Sequence, residues 1–231
     1  MRRRDLLTSA LAATAAAALP ARRAAAAPTT LGDAAARAGL TFGTAFDIEG
    51  MENRPYADLV RAHARILTTD ISMKFGSLRG RGPEADYASA ERLLGFAEAA
   101  RLPLRGHTLI WNEFNPAWLT ALSRERRAYW LDRHVTEVME HFAGRIHSWD
   151  VVNEPFWPDH GAKGGFRLGP WYDALGPGYV AAAFRAAARA DPGAKLVLNE
   201  AFTECGDRLG LAVRAGLLRL VDDLRDAGLR L

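Results

Sequence analysis

The chain has 231 residues, 49% of them hydrophobic and 25% charged, with a mean hydropathy of -0.12. That is enough apolar material for one substantial core, and it excludes a disordered, collagen-like or disulfide-stapled protein. The formal charge is +3, yet the basicity sits in Met1 to Ala27, where Arg2, Arg3, Arg4, Arg22 and Arg23 face only Asp5. Without that segment the formal charge falls to about -1, which removes the case for a nucleic-acid partner.

The first element in the chain is a leader. Arg3-Arg4-Asp5-Leu6-Leu7 is a twin-arginine pattern, followed by an alanine-rich apolar run through Leu19 and small residues Ala24 to Ala27 suited to cleavage. The expectation is a Tat-type signal over 1–27 and export to the periplasm or beyond. One mature domain over 28–231 follows, soluble, off the membrane and monomeric. A retained helical anchor is the alternative for the leader. Cys205 is the only cysteine, so no internal disulfide can form; it reads as a small, partly buried apolar residue.

From Thr41 onward short apolar runs alternate with amphipathic stretches, which predicts βα units around a parallel sheet. Strands are expected at Thr41–Phe46, Arg65–Asp70, Leu104–Trp111, Arg145–Asn153 and Lys195–Glu200. The intervening helices are expected near Tyr56–Ala64, Asp86–Ala100, from Ser123 to about Phe142, Tyr179–Ala190 and about Arg208–Ala227. Ser123 is an N-cap candidate, Gly144 and Gly228 are stop signals, and Leu211, Leu218 and Val221 stand among the apolar positions of the last helix. Leu229-Arg230-Leu231 reads as the first step of a sixth strand. The fold class is therefore α/β, a (β/α)8 barrel of which this sequence carries about five units and the start of a sixth strand. Such an open barrel is expected to be poorly stable.

Barrels of this kind place their chemistry at the C-terminal ends of the strands. Here those ends carry Asp47, Asp70 with Lys74, His107 with Trp111 and Asn112, Asn153 with Glu154, and Asn199 with Glu200. Aromatic rings stack on the apolar faces of sugar rings, while amides and charged groups bond their hydroxyls. In Trp149-Asp150-Val151-Val152-Asn153-Glu154-Pro155 an apolar strand ends in an amide–acid pair. A Glu there can protonate a glycosidic oxygen, and the Asn before it can hold a sugar 2-hydroxyl. No metal and no cofactor is expected: His107 lacks partners at ligand spacing, and Gly164 to Pro170 lacks the Lys-Ser/Thr of a phosphate loop. That glycine-rich loop reads equally as a cleft loop or a plain connection. His134, His141 and His147 are expected on the surface or at helix ends, and Trp130 in the core.

These motifs, in this order, resemble family 10 glycoside hydrolases, the endo-1,4-β-xylanase family, over nearly all of Phe42 to Leu231. Arg105 to Trp111 resembles the family's strand-three motif, Trp149 to Glu154 its acid/base motif, Asp191 to Leu196 the turn before its fifth strand, and Met73-Lys74-Phe75 its lysine-bearing segment. The resemblance implies a retaining enzyme acting on internal β-1,4 links of xylan, with Glu154 as general acid/base. Lys74, His107, Trp111, Asn153, Asp70 and Asn112 would contact the polysaccharide. The resemblance puts the nucleophilic Glu on a seventh strand, so this sequence is expected to be C-terminally truncated; neither Glu200 nor Glu204 carries a motif that would promote it. Ile71, Asn112, Phe114 and Ala201-Phe202 depart from the family pattern at sugar-binding positions. A non-catalytic glycan binder, or a relative acting on another β-linked glycan, is the alternative.

Overall fold

The computed structural model describes residues 30–231, so the leader expected over 1–27 lies outside the described residues. The alternation of short apolar runs and amphipathic stretches becomes β1 (Gly43–Phe46), α1 (Arg54–His63), β2 (Ile66–Thr69), α2 (Ala88–Ala99), β3 (Leu104–Trp111), α3 (Arg124–His141), β4 (Ser148–Asn153), α4 (Tyr179–Ala190), β5 (Leu196–Asn199) and α5 (Arg208–Asp226). The strands pair in parallel in the order β1-β2-β3-β4-β5. Sequential parallel strands with a helix after each form the wall of a (β/α)8 barrel, and the described residues supply five of its units.

Local chemistry sets the helix starts. The Asn53 side chain accepts from the Tyr56 N–H, Ser123 from the Arg126 N–H and Asp207 from the Gly210 N–H, which satisfies donors that no helical carbonyl can reach. Gly144 and Gly228 take φ of 72° and 73°, the left-handed conformation in which glycine ends a helix without a Cβ penalty.

The most deeply buried strand is β4, buried along its whole length, as a strand covered on both faces must be. Trp149 reaches across β3 at Gly106, its register partner; a Cβ there would lie 2.3 Å from the indole. Behind it Phe142 closes the layer against α3, with ring centroids 6.0 Å apart.

Three expectations change. His134 is not at the surface: it is 0% exposed, and its Nδ1 accepts from Arg79 Nε at 3.1 Å. Arg79, itself buried, also binds Glu137 and the Pro83 carbonyl. Burial, reinforced by the Arg79 charge, holds the His134 imidazole well below its ordinary pKa. In α5 the buried positions are Gly210, Val213, Gly216, Leu220 and Leu224, while Leu211 and Leu218 are exposed. Apolar residues ring most of this helix, and Gly216 selects the inward face because a Cβ there would sit 2.8 Å from the Phe156 ring. Leu229 to Leu231 form no strand; the Leu229 N–H returns to the Leu224 carbonyl at 3.0 Å as part of the helix end.

Candidate active site

Among the described residues four non-glycine positions have positive φ, and three of them, Phe114 (54°), Glu154 (46°) and Phe202 (61°), follow β3, β4 and β5 at the C-terminal end of the sheet. A left-handed backbone costs an L-residue about 1–2 kcal/mol, and such strain gathers where a fold is arranged for function.

At Glu154 the strained turn is held from several directions. Its N–H donates to the Asn199 carbonyl at 2.8 Å. Its own carbonyl accepts from Arg167 Nε at 2.9 Å, and its carboxylate Oε2 accepts from Arg167 Nη2 at 3.0 Å. The Glu154 side chain remains 24% exposed, whereas that of Arg167 is 5% exposed. The same guanidinium pairs with Glu113 and lies 4.8 Å from the Trp157 ring centroid. The glycine-rich loop after β4 thus delivers an arginine onto the acid, a role its composition did not announce.

The other strand ends assemble around it. Asn153 ends β4, and its Oδ1 accepts from Asn199 Nδ2 at 2.7 Å. Glu200 accepts from the Phe156 N–H at 3.0 Å and the Ala201 N–H at 2.9 Å. Burial pushes the Glu200 carboxyl up to about 7; the two N–H bonds oppose that shift and the nearby Glu154 charge adds to it. On β3, His107 Nδ1 bonds Asp150 Oδ2 at 2.9 Å, and Asp150 is also paired with Arg105. That carboxylate orients the imidazole and leaves Nε2 as its working nitrogen. Lys74 Nζ stands 5.0 Å from the Trp111 ring centroid. The Trp111 Nε1 is buried with no hydrogen-bond partner among the described residues.

Lys74, Trp111, Asn153 and Glu154 therefore stand at the C-terminal ends of β2, β3 and β4, and His107 lies midway along β3, opposite Asp150. The two remaining sequence candidates have surroundings of their own. Asn112 is 6% exposed with both ends of its amide engaged. Oδ1 accepts from the N–H groups of Trp171 and Tyr172, at 3.1 and 3.2 Å, and Nδ2 donates to the Arg167 carbonyl at 3.2 Å. It anchors the short helix Pro170–Leu175 by taking its first free donors, which commits both ends of this buried amide to the protein itself. Asp70, the residue after β2, is exposed and lines a hollow of about 520 Å³ at the C-terminal ends of β1 and β2, with Asp47, Ile71 and Tyr56. There Asp47 accepts the N–H groups of Asp70, Ile71 and Ser72. Arg167, Asn199 and Glu200 are the residues that sequence reasoning left without a role. The positions of Asn199 and Glu200 at a strand end were the available signal.

The model of the family described as Glycosyl hydrolase family 10 matches residues 30–231. The chain is 33% identical over 199 residues to endo-1,4-beta-xylanase 2 of Claviceps purpurea, covering 85% of this chain and 60% of that protein. It is 36% identical over 162 residues to endo-1,4-beta-xylanase 3 of Hypocrea jecorina, covering 70% and 46%. Among solved structures it resembles xylanase 10B from Thermotoga petrophila in complex with xylobiose, with a TM-score of 0.77, 27% identity and coverage of 87% of this chain and 61% of that one. Native xylanase 10B from Thermotoga maritima gives a TM-score of 0.74 at 28% identity, with coverage of 87% and 61%. The matches to the two curated relatives thus span 60% and 46% of those proteins. On the match over 30–231, the chain belongs to glycosyl hydrolase family 10.

Proposed function

We propose that this chain carries the acid/base half of a retaining glycoside hydrolase that cuts internal β-1,4 links of xylan. The observation that carries this reading is the strained, partly exposed Glu154 beside Asn153, at an end of the sheet that also holds Trp111 and Lys74, with His107 further back on β3. Glu154 gives a proton to the leaving oxygen and later takes one from water, and its Oε1 makes no hydrogen bond to another described residue. Asn153 holds the 2-hydroxyl of the sugar under attack, a contact that strengthens as the ring becomes cationic. Trp111 offers its face to a sugar ring, and His107, fixed by Asp150, bonds a hydroxyl.

Double displacement needs a second carboxylate about 5–5.5 Å from the first. Glu200 is tied to two backbone N–H groups and Glu113 to Arg167, so the nucleophile is assigned, by the resemblance, to a seventh strand. The tie between Arg167 and Glu154 favours a second reading, a glycan-binding surface that does not turn over. Release of reducing sugar from xylan decides between them. The enzyme reading expects measurable release once the chain is joined to a segment that supplies the seventh-strand Glu, falling by about 10²–10⁴ in Glu154→Gln. Xylan binding without release supports the binder, and neither binding nor release overturns both.

The twin-arginine leader carries a proposal of its own, export of the folded protein. Fusion of residues 1–27 to a reporter should direct it out of the cytoplasm, and Arg3→Lys with Arg4→Lys should hold it inside.

A further inference from the structure

The side-chain amide of an asparagine has two ends of nearly equal shape and opposite polarity. A buried asparagine that contacts a ligand therefore needs something to decide which end it shows. Asn153 is 2% exposed, and its register partner across the sheet is Asn199.

We propose that Asn199 is a positioning residue: its Nδ2 donates to Asn153 Oδ1, so that Asn153 turns its NH₂ group toward the ligand. The bond is 2.7 Å long, and the backbone on either side prevents the two chains from drawing apart. The Glu154 N–H bonds the Asn199 carbonyl at 2.8 Å, and one step on the Phe156 N–H bonds the Glu200 carboxylate at 3.0 Å. These rungs join the end of β4 to the end of β5 across the turn that carries Glu154. With its oxygen occupied, Asn153 meets a ligand as a donor, and the matching ligand group is one that offers a lone pair, such as a ring hydroxyl. A group with donors alone, such as a ring ammonium, is refused at that position. The ligand side of this inference rests on the sugar-binding role given to Asn153 above; the polarity of the amide does not.

The test uses the full chain, ¹⁵N-labelled, with Asn199→Asp and Asn199→Ala. In the wild type the side-chain amide protons of Asn199 should exchange slowly with water and those of Asn153 faster. Asn199→Asp keeps the shape but presents only acceptors, so the Asn153 amide should turn over and its protons become the slow, downfield pair. Affinity for xylotriose should then fall about tenfold in both variants, the size of one lost neutral hydrogen bond. A purely structural role for Asn199 would lower thermal stability without reversing the exchange pattern.

An unchanged Asn153 amide in Asn199→Asp, or a wild-type Asn153 amide slower than that of Asn199, overturns the proposal. Should Asn199→Asp not fold, the wild-type exchange rates decide alone. Reversal of the amide in Asn199→Asp, together with a wild type that binds no xylotriose, would uphold the positioning and sink the sugar reading.

Discussion

Glycine at position 106 and arginine at position 167 show how much single residues decide here. Gly106 leaves β3 bare where the Trp149 indole must lie, with only 2.3 Å available to a Cβ. Gly106→Ala should therefore cost about 1–3 kcal/mol through displaced indole and backbone, read as a lower midpoint in urea with an unchanged slope. Arg167 is set deep by its bonds to Glu154 and Glu113 and its place over Trp157. The sequence made Glu154, Asn153 and Trp111 legible because they stand at the ends of apolar runs, on one edge of the sheet. It could not make Arg167 legible. A loop arginine acquires meaning only from the residues it reaches, and Glu113 and Glu154 lie 54 and 13 positions away. Asn112 misled for the converse reason: a strand-end amide looks like a ligand contact until a helix N-terminus is found to occupy it.

At the scale of elements, β3 and α4 fall where periodicity put them, Leu104–Trp111 and Tyr179–Ala190. Both are bounded by strong stop signals, including Asp191-Pro192-Gly193 after α4. β4 begins at Ser148 and not at Arg145, because the Arg145 N–H turns back to the Phe142 carbonyl and its side chain pairs with Glu91 and Glu98. The short helix Pro170–Leu175 depends on an asparagine nearly sixty residues earlier. Asn112→Ala should cost about 1–2 kcal/mol, the loss of a cap whose donors are then buried unpaired. Hydrogen exchange should show Trp171 and Tyr172 opening faster while α3 and α4 keep their protection. Equal protection of Trp171 and Tyr172 in both proteins would contradict the capping role.

Two buried groups should shape the pH dependence of the whole molecule, with opposite signs. His134 is neutral and resists protonation in the fold, its pKa held well below 6.5. As pH drops below 6.5 the unfolded chain gains a proton that the fold refuses, so stability falls toward acid. Glu200 behaves the other way. Its pKa is about 7 when folded against 4.5 for the free group, so its contribution is complete below 4.5 and is lost as pH rises through about 7. The difference corresponds to roughly 3 kcal/mol. Glu200→Gln should remove the alkaline decline and leave the acidic one, raising the unfolding midpoint at pH 8 more than at pH 5. A variant whose curve runs parallel to the wild type would show that Glu200 is not the group responsible.

The pairing of Arg105, Asp150 and His107 has a consequence for the salt dependence of the fold. Trp149 turns toward Phe142 and the helices, so by alternation Asp150 and its partners occupy the opposite face. The interior of a barrel usually carries bulky branched aliphatic residues. Here that face presents paired charges at its middle strands, with Arg105 itself partly in water. Asp150 itself is buried, so screening by salt reaches mainly the Arg105 end of the pair. Stability should accordingly change little between low and high ionic strength, whereas Arg105→Ala, which takes one partner from a buried carboxylate, should lower the unfolding midpoint by more.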